Sequence, residues 1–105
     1  MQKAVHVSTL PFVAVNDANQ ITSMWSVQSS GNYDKDNATG RGYGVDMLNY
    51  ILATGNTQTL GFIIRDMVAA GVYQGIEIGF MHVVGAYIGA QDNRAVIELA
   101  ATQAA

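Results

Sequence analysis

The sequence predicts an α+β fold: an antiparallel sheet from an N-terminal and a C-terminal β-hairpin, with two helices, over about residues 45–53 and 58–70, packed on one face. Three observations predict it. Residues Gly75 to Gly89 alternate cleanly: Ile76, Ile78, Phe80, His82, Val84, Ala86 and Ile88 share one parity, Glu77, Gly79, Met81, Val83, Gly85 and Tyr87 the other. Leu60, Ile63, Ile64, Met67 and Val68 follow the spacing of one apolar helical stripe. Asn16-Asp17-Ala18-Asn19 is turn chemistry between two β-compatible segments.

Taken in order, Lys3 to Leu10 reads as a strand, with Pro11 ending regular pairing and Phe12 to Val15 continuing extended. Ile21 to Gln28 is its partner. Ser29 to Gly44 reads as a long loop rich in Ser, Gly, Asn and Asp. Val45 to Ala53 reads as a short helix, with Asp46 in its first turn and Gly55 as C-terminal cap. Gln58 to Ala70 is the clearest helix, with Asn56 or Thr57 as N-cap and Gly71 as its stop.

Gly75 to Gly89 admits two readings. A helix would place Gly75, Gly79, His82, Ala86 and Gly89 on one seam suited to close packing. A strand avoids two interior glycines that cost about 1 kcal/mol each in a helix. It also suits the β-branched Ile76, Ile78, Val83, Val84 and Ile88. The strand is the expectation here. Ala90 to Asn93 then forms a turn, Arg94 to Ala100 a partner strand, and Thr102 to Ala105 a frayed tail.

The 105 residues make a single domain, 1–105. Charged residues are 12% of the chain, against about 25% in a typical soluble domain. Gly44 to Ala90 carries only Asp46, Arg65, Asp66 and Glu77. So little charge leaves little solvated face, which calls for burial in the chain's own core or against another chain, and an oligomer is expected over a monomer with a neutral polar surface. The basic residues Lys3, Lys35, Arg41, Arg65 and Arg94 are scattered, and the net charge is −3, so no nucleic-acid partner is expected.

The chain has no cysteine, which excludes disulfides, thiol nucleophiles and Cys-ligated zinc. No signal stretch and no membrane span is read, so the expectation is a cytoplasmic protein with no membrane partner. The sequon Asn37-Ala38-Thr39 is read as accidental.

The candidate site is the segment holding Tyr33, Arg41, Gly42 and Tyr43. Read as a glycine-rich loop ahead of a helix, Gly40 to Gly44 offers backbone N–H groups to an anion. Arg41 adds a bidentate donor, and Tyr33 or Tyr43 a stacking or interface surface. Neither GxxxxGK[ST] nor GxGxxG after a strand is present, so the segment is neither a P-loop nor a dinucleotide fingerprint. Asn32 to Gly40 resembles a calcium loop but lacks the closing glutamate, so no metal site is expected.

His82 has Glu77 and Asp66 as conceivable carboxylate partners, neither at a helpful spacing, and is expected in the core. His6 carries less. The serines lie in neither GxSxG nor SxxK. With no catalytic group and no cofactor expected, the leading expectation is a small non-enzymatic interaction protein. It is a homo-oligomer that binds and blocks a protein partner, in the manner of a phage or mobile-element inhibitor of a host system. The alternative is a small-ligand protein holding a nucleotide-like anion at a subunit interface, lined by Tyr33, Arg41 and Tyr43.

Overall fold

The structure, a computed structural model, describes residues 6–90 and 92–104. Among the described residues four helices carry the fold: α1 (Tyr33–Thr54), α2 (Gln58–Ala70), α3 (Gly75–Ala90) and α4 (Arg94–Ala104). They follow a short hairpin of β1 (Ala14–Val15) and β2 (Ile21–Ser23). The two-hairpin sheet is therefore corrected to a helical fold with one small hairpin.

The N-terminal hairpin forms where the turn chemistry places it. Asn16 Oδ1 accepts the N–H groups of Ala18 at 2.9 Å and Gln20 at 3.0 Å. The strands pair antiparallel with a register irregularity after Ala14. The hairpin is shorter than expected. Val7–Thr9 forms a 3-10 turn capped by His6 in place of a strand, and the expected residues 3–5 lie outside the described residues. After Ser23 the chain turns inward. The Met24 N–H donates to Asp66 Oδ2 at 2.8 Å, pinning the segment to α2.

The expected loop 29–44 and the expected helix 45–53 are largely one element. Helix α1 runs for 22 residues, capped at its start by the Asn32 side chain, which accepts the Lys35 N–H. Gly55 closes it at φ 71°. Asp46 consequently sits mid-helix, not in a first turn.

The expected strand 75–89 is helix α3. The reason is a glycine seam shared with α1. A Cβ on Gly40 would collide with the Ile76 carbonyl, and one on Gly79 with the Asn37 carbonyl. A Cβ on Gly75 would lie 2.8 Å from Asp36 Cβ, and one on Gly44 2.8 Å from Val83 Cβ. Gly40 and Gly44, like Gly75 and Gly79, are four apart, so about one helical turn brings each pair onto the face that meets the other helix. Close packing of backbone on backbone offsets the propensity cost of these glycines. The contacts advance together along both helices, so α1 and α3 run in the same sense with α2 as the return.

Helix α2 stands as expected, with Gly71 at φ 72° ending it. Thr57 occupies the N-cap position but makes no side-chain capping bond. The expected strand 94–100 is helix α4, and the expected frayed tail from 102 continues that helix to Ala104, residue 105 lying outside the description.

The core sits where the 24–27 segment meets the α1–α3 pair. Phe12, Trp25, Tyr43 and Phe80 form an aromatic cluster with centroids 4.9–6.3 Å apart. Met47, Ile63, Met67, Ile76 and Val84 complete it. Among the described residues no helix is long and apolar enough to cross a membrane.

Candidate functional site

The four residues singled out from sequence lie along one helix and are not gathered. Tyr33 begins α1 and is exposed, as are Arg41 and Gly42 farther along. Tyr43 is half-buried, its ring 5.3 Å from Phe12 and 6.3 Å from Trp25. Tyr33 and Tyr43 are separated by about 15 Å of helical rise. An anion cradle needs unbonded backbone N–H groups. Inside α1 the N–H groups of 40–44 belong to the helical ladder.

The titratable candidates separate in the same way. His82 is exposed rather than in the core. Glu77 is buried, accepting the Trp25 indole N–H at 3.0 Å and the Gln74 N–H at 2.9 Å. Asp66 accepts the Met24 N–H and the Arg65 Nε–H, the latter at 3.0 Å. Neither carboxylate bonds His82. His6 Nδ1 accepts the Ser8 N–H and lies on the surface.

A polar feature missed in the sequence surrounds Asp36. Its buried carboxylate accepts the Ser29 hydroxyl at 2.6 Å, the Ser30 hydroxyl at 2.7 Å and the Ser30 N–H at 3.0 Å. The Ser29 hydrogen bond, with those of Ser30, holds the carboxyl below its ordinary value. Asp66 is held low chiefly by the Met24 N–H, with Arg65 second. Asp36 and Glu77 both line a cavity of about 170 Å3 together with Trp25, Val27 and Val72. Their hydrogen bonds fasten the 24–30 segment to α1 and α3, which is a structural role. The sequence signal for it is slight: two serines ahead of an aspartate, and a glutamate three residues after Gln74.

What remains unsatisfied among the described residues is apolar. Every described side chain of α4 through Gln103 is exposed, Val96 at 67%, Ile97 at 64% and Leu99 at 61%. Arg94, Glu98 and Thr102 mark one polar side at helical spacing, and Val96, Ile97, Leu99 and Ala100 spread over the other, with Gln103 between Leu99 and Val96. Elsewhere an uncharged cleft of about 280 Å3 opens between Ile64, Met67 and Val68 of α2, Val72 and Tyr73 of the connection, and Met81 of α3. Its rim is apolar too: Val68, Val72 and Tyr73 are exposed.

The area agrees. The chain exposes 7243 Å2, where a compact monomer of its 11.2 kDa mass would expose roughly 5,700 Å2. Its radius of gyration is 15.2 Å, against about 13 Å for a compact chain of this length. No protein-family model matches this sequence, and neither a curated protein nor a solved structure matches it, so the functional reading rests on the geometry of this chain alone.

Proposed function

We propose that this chain is a small non-enzymatic interaction protein that acts as a homo-oligomer, with α4 as its contact element. The observation that carries the reading is a helix of 11 residues that buries no described side chain. Isolated helices shorter than about 12–15 residues are marginal in water and take their stability from packing an apolar face. Helix α4 has such a face, and its Val96, Ile97 and Leu99 stay exposed among the described residues. The charge-poor composition and the excess exposed area support the same reading.

Native mass spectrometry with amide hydrogen exchange tests it. The expected result is an assembly at a multiple of the 11.2 kDa chain mass, with exchange in residues 94–104 slowing as protein concentration rises. A chain-mass species whose α4 amides stay unprotected at every concentration would overturn the reading.

A further inference from the structure

We infer that α4 of one copy seats in the cleft between α2 and α3 of a second copy, and that the exchange is reciprocal. This names the partner of the contact element proposed above and rests on that reading.

The chemistry of the two surfaces matches. The cleft is lined by aliphatic, methionine and tyrosine side chains with no charge among them. The arm offers Val96, Ile97, Leu99 and Ala100, with its charges confined to the Arg94–Glu98 side. The sizes match as well. At about 280 Å3 the cleft has nearly twice the room of the ~150 Å3 apolar cavity that accepts a benzene. That is space for two branched side chains from a helix, not for a whole domain.

The area favours a second copy over a lone small ligand. The excess exposure is about 1,500 Å2 per chain, and each partner in a standard interface gives up about 800 Å2. A ligand filling the cleft would leave α4 uncovered. A reciprocal pair covers two arms and two clefts at once and closes the assembly as a dimer. One-way seating would leave an arm and a cleft free at the two ends and propagate into a filament.

The absence of cysteine in the natural chain makes the test specific. Val68 and Ile97 are both exposed, so replacing each leaves the core intact. Separate full-length chains carrying Val68→Cys or Ile97→Cys are mixed in equal amounts and oxidised with glutathione disulfide. Val72→Cys serves as a second cleft probe. Sedimentation velocity of the wild-type chain is run alongside.

The expected result is a dimeric wild type and a cross-linked dimer containing one chain of each variant. Neither variant alone should form that product beyond trace. If Ile97→Cys links to itself, the arms pair with each other. If a chain carrying both changes links only within itself, α4 folds back onto its own cleft. Either outcome overturns this inference. An assembled wild type with no arm–cleft link from either cleft probe also overturns it, while the homo-oligomer reading stands. A wild type at monomer mass at every concentration overturns that reading and this inference with it.

Discussion

Trp25 donates its indole N–H to Glu77 Oε2 at 3.0 Å, joining the buried segment after β2 to the first turn of α3. The other carboxylate oxygen accepts the Gln74 N–H at 2.9 Å, so the same side chain caps α3 and anchors the tryptophan. Trp25 also stacks edge-on against Phe80, with centroids 4.9 Å apart.

This pairing separates hydrogen bonding from packing. Trp25→Phe keeps an aromatic ring but leaves a buried carboxylate oxygen without its donor. Stranding a buried acceptor costs about 1–3 kcal/mol, and the lost ring volume adds to it. At about 4–8 °C per kcal/mol for a domain near this size, the melting temperature should fall by roughly 5–20 °C. Trp25→Phe together with Glu77→Gln should not be additive, since the two residues share one buried hydrogen bond. A double-mutant cycle by urea denaturation measures this, and strict additivity would count against a direct contact.

The seam gives a second contrast within one pentapeptide. Gly40 lies against the Ile76 backbone, whereas a Cβ on Gly42 would meet nothing within 4 Å. Gly40→Ala must push two helices apart and should cost about 3 kcal/mol or more, as overpacking against rigid backbone does. Gly42→Ala should stabilise by up to about 1 kcal/mol, since it only improves helix propensity. Denaturation midpoints of the two variants should move in opposite directions. If both rose, α1 and α3 would not be in close contact.

That contrast also marks what the sequence discloses. Helix α2 is legible because Leu60, Ile63, Ile64 and Met67 carry a strong local period and Gly71 ends it. The hairpin turn is legible because Asn16 bonds its own backbone. Helix α1 is not, because Gly40, Gly42 and Gly44 look like loop residues until α3 is laid against them. In α3 the period-2 alternation and the four-residue glycine spacing coexist, and a non-local contact settles the choice. The Tyr33–Tyr43 set depends on the loop reading and scatters with it. The unpacked face of α4 is not legible at all, since exposure is a property of the assembled chain.

Acid should weaken the fold, and the sign follows from the two low carboxyls. Asp36 and Asp66 both titrate below their ordinary values in the folded chain. The native state therefore binds fewer protons than the unfolded chain as they titrate. Their contribution is complete well above the unfolded carboxyl value of about 4 and is lost as pH falls through the lower native values. Urea midpoints should be level from neutrality to mildly acid pH and decline below about pH 4. Asp36→Asn, or Ser29→Ala with Ser30→Ala, should lower the plateau and flatten the decline. A midpoint that rises on acidification through this range would contradict the assignment.

Arg41 and Tyr43 belong to different categories in the fold, and single alanine changes should expose it. Arg41 is exposed and makes no side-chain hydrogen bond or ion pair among the described residues. Arg41→Ala should change stability by less than about 0.5 kcal/mol. Tyr43 touches the aromatic cluster, so Tyr43→Ala should cost about 1–3 kcal/mol from a half-buried site. Thermal melts of the two variants check this. A partner-binding defect in Arg41→Ala would then be a surface effect, whereas one in Tyr43→Ala would need its stability loss subtracted first.

Helix α4 should be separable from the cooperative core. Ala100→Pro breaks it near its centre, where proline costs about 3 kcal/mol of helix stability. Because no described α4 side chain is buried, that cost should stay local and leave the core transition in place. The comparison must be made at dilution, since association raises the melting temperature of any assembled form by mass action. Under dilute conditions Ala100→Pro and the wild type should melt within a few degrees of each other. At high concentration they should diverge, because only the wild type gains the stabilisation that association supplies. A large loss at dilution would place α4 inside the monomer's folding unit. Equal melting at both concentrations would remove its role in assembly.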